Sequence, residues 1–237
     1  MGLAAKIFMV RENVEADLET LAEKLREFRQ EGVWEEGEQS VQLVTEIRDL
    51  RLEGGGLYGV FSQDKPITLF RRGERVLASR TMEAPFAFNP YRGRMLLTIL
   101  AKRRRANDIA NQLSRILFIA VGQIVEARIT PDVLRRFHEE NFDDTKVVFF
   151  DDVDVPNVDK LSLYGSALGN TTLYTDYMGH GKLWYIVIRS RKYGYVVGLT
   201  RNCVVTIFSR VEEPEFLSYI VDEVFPLISL GEGLPQP

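Results

Sequence analysis

Displaced so that residue 94 falls on residue 202, the sequence overlays itself, and an internal repeat restricts a fold more than any single motif does. Residues 94–102 (RMLLTILAK) align with residues 202–210 (NCVVTIFSR). The apolar positions that follow stay in register: Ile109 with Leu217, Leu113 with Val221, Ile116 with Val224 and Leu117 with Phe225. A weaker echo sets residues 6–11 against residues 123–128, each leading into a helix start. The expected organisation is one repeat unit over residues 1–119, a second over residues 120–230, and a flexible tail at 231–237 rich in Gly and Pro.

Patterning within the units predicts their elements. Residues 6–12 alternate as a strand, and Val14, Leu18, Leu21, Leu25 and Phe28 recur at helical steps behind Asn13, an expected N-cap. A polar linker is expected at 31–39. Strands follow at 41–52, 57–62, 67–71 and 75–80, broken by the turn chemistry of Gly54-Gly55-Gly56, Asp64-Lys65-Pro66 and Arg72-Gly73-Glu74. Residues 86–88 and 95–101 add two more strands before a helix carrying Ile109, Leu113, Ile116 and Leu117. In the second unit, Thr130-Pro131-Asp132 is a helix start with Val133 and Phe137 facing inward. Strands are expected at 146–150, 161–164, 173–177, 183–189, 195–199 and 203–209, and a last helix from Pro214 to about Ile228.

The fold class that results is α+β: two pseudo-symmetric β-α-β(n)-α repeats, each an antiparallel sheet with helices on one face, a helix-grip-like plan. In element order, nearly the whole chain resembles the TATA-binding protein family. That resemblance implies two repeats forming a saddle, helices on its convex side and DNA beneath its concave side.

Composition narrows the function classes. A single cysteine, Cys203, allows no internal disulfide, and no apolar run approaches the length of a bilayer span, so a cytoplasmic protein without a membrane contact is expected. The net charge of −4 is unevenly spread: residues 1–119 hold 19 basic and 17 acidic groups, and residues 120–237 hold 11 and 17. Within the first unit, residues 41–119 alone hold 14 basic and 7 acidic groups. A basic sheet region beside an acidic half fits a polyanion, or an acidic protein partner, better than it fits nonspecific coating.

The densest positive run is Lys102-Arg103-Arg104-Arg105, at an expected strand-to-helix junction where cations oppose the helix dipole. At the equivalent place the second unit carries Glu212, Glu213 and Glu215, the acidic start that helices prefer. The contrast has two readings: a phosphate bound at the first site, or a solvated, salt-screened corner. A pair of aromatics two apart is also duplicated: Phe86 and Phe88 precede one shared strand, Tyr193 and Tyr195 the other. On an open sheet face such rings stack on bases, with Arg189, Arg191, Lys192 and Arg201 on phosphates; on a helix-covered face they are core.

Remaining constellations are weaker. Asp143, Asp144, Asp151, Asp152, Asp154 and Asp159 bracket one strand without calcium-loop spacing, His138 is placed on the exposed side of its helix and His180 in a turn, and Cys203 alternates inward as a small hydrophobe. No catalytic residues, metal site or cofactor are expected, because nucleophile elbows, phosphate loops and dinucleotide fingerprints are absent. The expected function is non-enzymatic nucleic-acid binding through an open sheet face and a basic corner. The alternative is an adaptor that docks a protein partner, or forms a homo-oligomer, through its oppositely charged halves.

Overall fold

In the computed structural model, residues 2–12, 14, 16–142, 145–165, 168 and 171–230 are described. They form an α+β structure that opens with β1 (Leu3–Val10) and divides into two compact units, Met9–Val125 and Met1–Phe8 with Glu126–Pro237.

The first of these contains α1 (Leu18–Leu25), β2 (Arg29–Glu36), β3 (Gln39–Glu53), β4 (Gly56–Arg71), β5 (Glu74–Tyr91), β6 (Arg94–Ile99) and α2 (Arg103–Phe118). Strands β2 to β6 lie side by side in chain order, all antiparallel. Tight turns dictate that order. Arg72-Gly73 and Arg92-Gly93 both have positive φ, the backbone of two-residue hairpins whose twist matches that of the strands. Asp17 caps α1 by accepting the Thr20 N–H at 2.8 Å. Asn13 lies outside the described residues, and Val14 and Phe28 fall beyond the ends of α1.

Two expectations are corrected in this unit. The polar stretch at 31–39 is an edge strand and its turn: every residue of β2 is exposed, so no apolar alternation marks it in sequence. Asp64-Lys65-Pro66 is not a turn but the middle of β4, which pairs with β5 without interruption from Leu57↔Phe88 to Arg71↔Glu74. Proline is tolerated there for a geometric reason. Counting back by twos from the closing pair Arg71/Glu74, Pro66 turns its nitrogen away from β5, towards a side where the ladder with β3 has already ended at Thr45↔Gln63. Asp64 stands at this fork, accepting from the Val44 N–H at 3.0 Å and the Thr81 hydroxyl at 2.7 Å. Residues 64–81 therefore continue past this fork as a two-stranded ribbon, held midway by Gln39 of the β2–β3 turn, which donates to the Arg75 carbonyl at 2.9 Å and accepts the Leu77 N–H at 2.6 Å.

The helices cover one face of this sheet. Gln63 donates to Gln112 of α2 at 2.9 Å, so Leu57, Gly59, Phe61 and Gln63 of β4 share the helix-facing side by alternation. Lys24 of α1 donates to the Leu117 carbonyl of α2 at 2.8 Å, which places both helices in one layer. Beneath them Leu21, Leu25, Phe61, Leu97, Ile99, Leu113 and Leu117 are buried, each contributing roughly 2 kcal/mol through area removed from water.

After β7 (Ile124–Glu126), whose last residue alone falls in it, the second unit continues with α3 (Pro131–Glu140), β8 (Val147–Asp151), β9 (Leu161–Tyr164), α4 (Thr172–Met178), β10 (Lys182–Arg189), β11 (Val196–Thr200), β12 (Val204–Ile207) and α5 (Glu213–Tyr219). Its strand order is β1-β12-β11-β10-β8-β9. Thus β8 enters beside β10 and β9 lies outside it, whereas the outermost strand of the other unit, β2, comes first. Thr130 caps α3 as its sequence predicts, accepting the Val133 N–H at 3.3 Å. The buried face of α3, however, is Leu134, Phe137 and His138, with Val133 half-buried.

Residues 173–177 form a helix, α4, and not the expected strand. Thr171 supplies an N-cap bond to Tyr174, and the buried Tyr174 ring fixes the turn against α3. The final helix is also less regular than its periodicity predicts, passing from α5 into a π-helical turn at Ile220–Val224 and a 3-10 turn at Phe225–Leu227. In β1, Lys6 is fully buried and pairs with Glu126, while residues Leu3–Lys6 are in register with Val204–Ile207 of β12.

Candidate nucleic-acid interface

The basic run occupies the start of α2. Lys102 is the N-cap residue without a side-chain cap bond, the first turn has no acidic residue, and the Ala106 N–H closes the first backbone bond onto the Lys102 carbonyl at 3.0 Å. Among the described residues no ion pair involves Lys102, Arg103, Arg104 or Arg105. Lys102, Arg103 and Arg104 are exposed, and Arg105 is half-buried, its pKa lowered by desolvation. By contrast α5 begins with a capping box in which the Glu215 carboxylate accepts the Glu212 N–H at 3.1 Å. The contrast read from sequence is present as geometry.

The aromatic pairs require correction. Phe88 and Phe86 stand opposite Leu57 and Gly59, on the helix-facing side, and are 0% and 1% exposed. Their rings meet edge to face at 5.9 Å, and a Cβ on Gly59 would lie 2.7 Å from the Phe86 ring. They are core residues, closed to a ligand. Tyr193 and Tyr195 do not lie on an open face either. They stack on each other at 5.5 Å and against the buried Tyr219 of α5, and the Tyr193 hydroxyl donates to Asp222 at 2.5 Å.

The cations beside these tyrosines are engaged. Lys192 lies 3.2 Å from Asp222 and 3.7 Å from Glu223; the hydrogen bond to Asp222 holds the Lys192 pKa above its ordinary value, and bonds from Tyr193 and Lys192 hold that of Asp222 below. Arg201 pairs with Asp151, Arg189 donates to the Gly194 carbonyl at 3.4 Å, and the Arg191 N–H reaches Asn141. The structure does not gather these residues with Lys102–Arg105 into one site within either unit.

A group of residues that motif spacing did not single out takes their place. The β4–β5 ribbon carries Lys65, Arg71, Arg72, Arg75 and Arg80 against Asp64 and Glu74. Only Arg75 of these cations has an ion-pair partner among the described residues, Glu36 at 2.5 Å. Lys65, Arg71, Arg72 and Arg80 are exposed, and Phe70 beside the turn is 77% exposed. Leu69 and Val76 are exposed on the other face of the ribbon. The Leu100 N–H bonds the Pro85 carbonyl at 2.9 Å, so α2 starts at the end of the sheet from which the ribbon continues. Ribbon and helix start thus present cations without ion-pair partners among the described residues at one end of one unit. The excess of basic groups over 41–119 was the available signal, but the mistaken turn at Pro66 hid the ribbon that organises it.

The other candidates resolve into structural roles. Of the acidic group, Asp143 and Asp144 lie outside the described residues; Asp151 pairs with Arg201, Asp152 with Lys182 at 3.0 Å and Asp154 with His180 at 2.7 Å. Among the described residues no group of three or more His, Cys, Asp or Glu is placed to hold a metal ion. His138 is buried, not exposed as its helix position predicts. Its Nδ1 contacts the Tyr174 hydroxyl and its Nε2 the Thr145 hydroxyl, both at 2.7 Å, and burial lowers its pKa to about 4. Since the Thr145 proton goes to the Phe142 carbonyl at 2.9 Å, the ring is the neutral Nε2–H tautomer, with Tyr174 donating to Nδ1. Cys203 is fully buried, as expected, and burial pushes its thiol pKa up, away from reactivity. No helix among the described residues is long and apolar enough to cross a membrane. Compared with protein-family models and with curated proteins, the sequence matches none, so its function has to be read from these residues.

Proposed function

We propose that this chain is a non-enzymatic, cytoplasmic nucleic-acid-binding protein whose contacts are the β4–β5 ribbon and the start of α2. One observation carries the proposal: a two-stranded ribbon in which Lys65, Arg71, Arg72 and Arg80 have no ion-pair partner among the described residues, with an exposed phenylalanine beside its turn. A ribbon of this width fits the DNA major groove, Lys65, Arg71, Arg72 and Arg80 suit phosphates, and Phe70 offers a face for stacking or for wedging between base steps. The N–H groups opening α2 and the flanking Arg103 and Arg104 supply a second phosphate seat.

The duplicated plan belongs to the same proposal. Its support is that Arg94–Ile99 leads into α2 and Val204–Ile207 into α5, the two segments that overlay in sequence. Ligand contact beneath a saddle, as the TATA-binding protein resemblance implies, is not adopted, because Phe86 and Phe88 are core.

Fluorescence anisotropy with labelled duplex and single-stranded oligonucleotides at low salt tests the proposal. Binding is expected, weakening steeply as salt is added, and Arg71→Glu/Arg72→Glu should weaken it on the order of a hundredfold with the circular dichroism spectrum unchanged. Absence of low-salt binding, or a variant that binds like wild type, would refute the assignment.

A further inference from the structure

The outer strand β2 has a built-in complement to itself. The Ile47 N–H donates to the Phe28 carbonyl at 3.1 Å, and a two-residue turn at Gly37-Glu38 closes the hairpin at Glu36↔Gln39. By the alternation of an antiparallel ladder, Gln30, Gly32, Trp34 and Glu36 direct their backbone groups at β3. Arg29, Glu31, Val33 and Glu35 direct theirs outward. Among the described residues no strand pairs with that side, every residue of β2 is exposed, and Val33 and Trp34 are 60% and 49% exposed. A long open edge with apolar side chains is a template for another strand.

We propose that a second copy of this chain occupies this edge, β2 against β2 about a twofold axis, with Arg29 of each protomer opposite the partner's Glu35. Charge selects the register. A twofold axis makes the strands antiparallel, and only outward-facing residues form the hydrogen-bonded pairs. Two registers then overlap nearly all of β2. One sets Arg29 opposite the partner's Glu35 and Glu31 opposite the partner's Val33, with Gly32 facing the partner's Gly32 on the axis. The other sets Glu31 opposite the partner's Glu35 twice, and like charges directly opposite destabilise a sheet.

Gly32 is a second, independent pointer. Its φ is not one that needs glycine, and a Cβ there would meet nothing within 4 Å, so the protomer alone gives no reason for a residue that weakens strands. Glycine within a strand marks a place where another backbone approaches closely, and the proposed axis passes through it. Trp34, opposite the partner's Gln30, lies on the same sheet face as Gly32 and has the space a side chain at Gly32 would fill. Arg29 already contacts Glu31 at 2.9 Å and Glu46 at 2.5 Å, and Arg48 shares Glu46 at 4.0 Å, leaving guanidinium donors for a further acid.

Sedimentation velocity over a concentration series tests this with the full chain. Wild type is expected to pass from monomer to dimer. Arg29→Glu alone and Glu35→Arg alone should each weaken association by about ten- to a hundredfold. An equimolar mixture of the two variants should dimerise like wild type, because each corner of the mixed pair again holds one acid and one base. Val33→Pro removes an outward N–H without touching the β3 ladder and should abolish the dimer; circular dichroism checks that each variant is folded, as loss of exposed ion pairs permits. Monomer at every concentration, a dimer that survives Val33→Pro, or single variants that mixing fails to rescue would overturn the proposal. So would growth beyond dimer, which identifies pairing of β2 with the outer strand β9 instead.

Discussion

Phe70-Arg71-Arg72-Gly73 and Lys192-Tyr193-Gly194-Tyr195 look alike in sequence: aromatic and basic residues around a glycine with positive φ, each beside a turn. Their surroundings make them opposites. The second lies back on the end of α5, where Tyr219 receives its rings and Asp222 and Glu223 receive Lys192. The first lies at the end of the β4–β5 ribbon, where Arg71 and Arg72 have no ion-pair partner among the described residues and Phe70 is 77% exposed. A basic aromatic cluster is therefore not by itself a binding surface. Whether it is one depends on counter-charges brought by elements distant in sequence.

The largest expected effect separates core rings from ligand-facing ones. Phe86→Ala should destabilise the protein by about 3–5 kcal/mol, measured by denaturant unfolding, whereas Phe70→Ala should leave the midpoint almost unchanged and weaken oligonucleotide binding. Equal effects at both sites would erase the distinction between buried and exposed aromatics.

The second follows from His138. Its folded pKa of about 4 lies below the ordinary value of 6.5, so the unfolded chain takes up a proton before the folded one does. The contribution of the neutral ring is complete above pH 6.5 and is lost as the pH falls towards 4, on the order of 3 kcal/mol in all. Unfolding free energies measured across this range should show the decline, and His138→Gln should flatten it.

Third, reversing charge on the two look-alike turns sharpens the comparison directly. Arg71→Glu/Arg72→Glu should reduce oligonucleotide affinity on the order of a hundredfold at low salt. Lys192→Glu should change it little and instead lower stability, by placing a carboxylate against Asp222 and Glu223. The reverse outcome would move the site to the other unit.

The smallest effect is at the helix starts. Arg103→Glu/Arg104→Glu should raise stability by up to about 1 kcal/mol through relief of cation–dipole repulsion, while Glu213→Arg/Glu215→Arg should lower it by a similar amount. Thermal melts of the four-way set of variants measure both.

Much of the fold is legible where local chemistry decides it. Thr130-Pro131 marks the start of α3, and paired glycines or Arg-Gly dipeptides mark the hairpin turns, because backbone conformation at those positions is set by the residues themselves. What sequence hides is set by partners. All of β2 is exposed, so no alternation betrays it; α4 is held by the contact of Tyr174 with His138; and Pro66 is allowed in β4 because β3 has already left. For the same reason the α2 start was visible as a break from helix-capping practice, but the cations flanking Tyr193 could not be told from those flanking Phe70 until Asp222 and Glu223 were placed.

The pairing of Leu3–Lys6 with Val204–Ile207 has a consequence for synthesis. Residues 9–125 form a continuous unit that can close while translation proceeds, but residues 1–8 belong to a unit whose remaining residues, 126–237, are made afterwards. The Lys6 ammonium, destined for full burial, therefore gains its acidic partner only once Glu126 has left the ribosome. Until then Lys6 is a solubilising charge within residues 3–10, and once Glu126 arrives the same charge penalises any misaligned docking of the strand, since a slipped register would leave it buried alone.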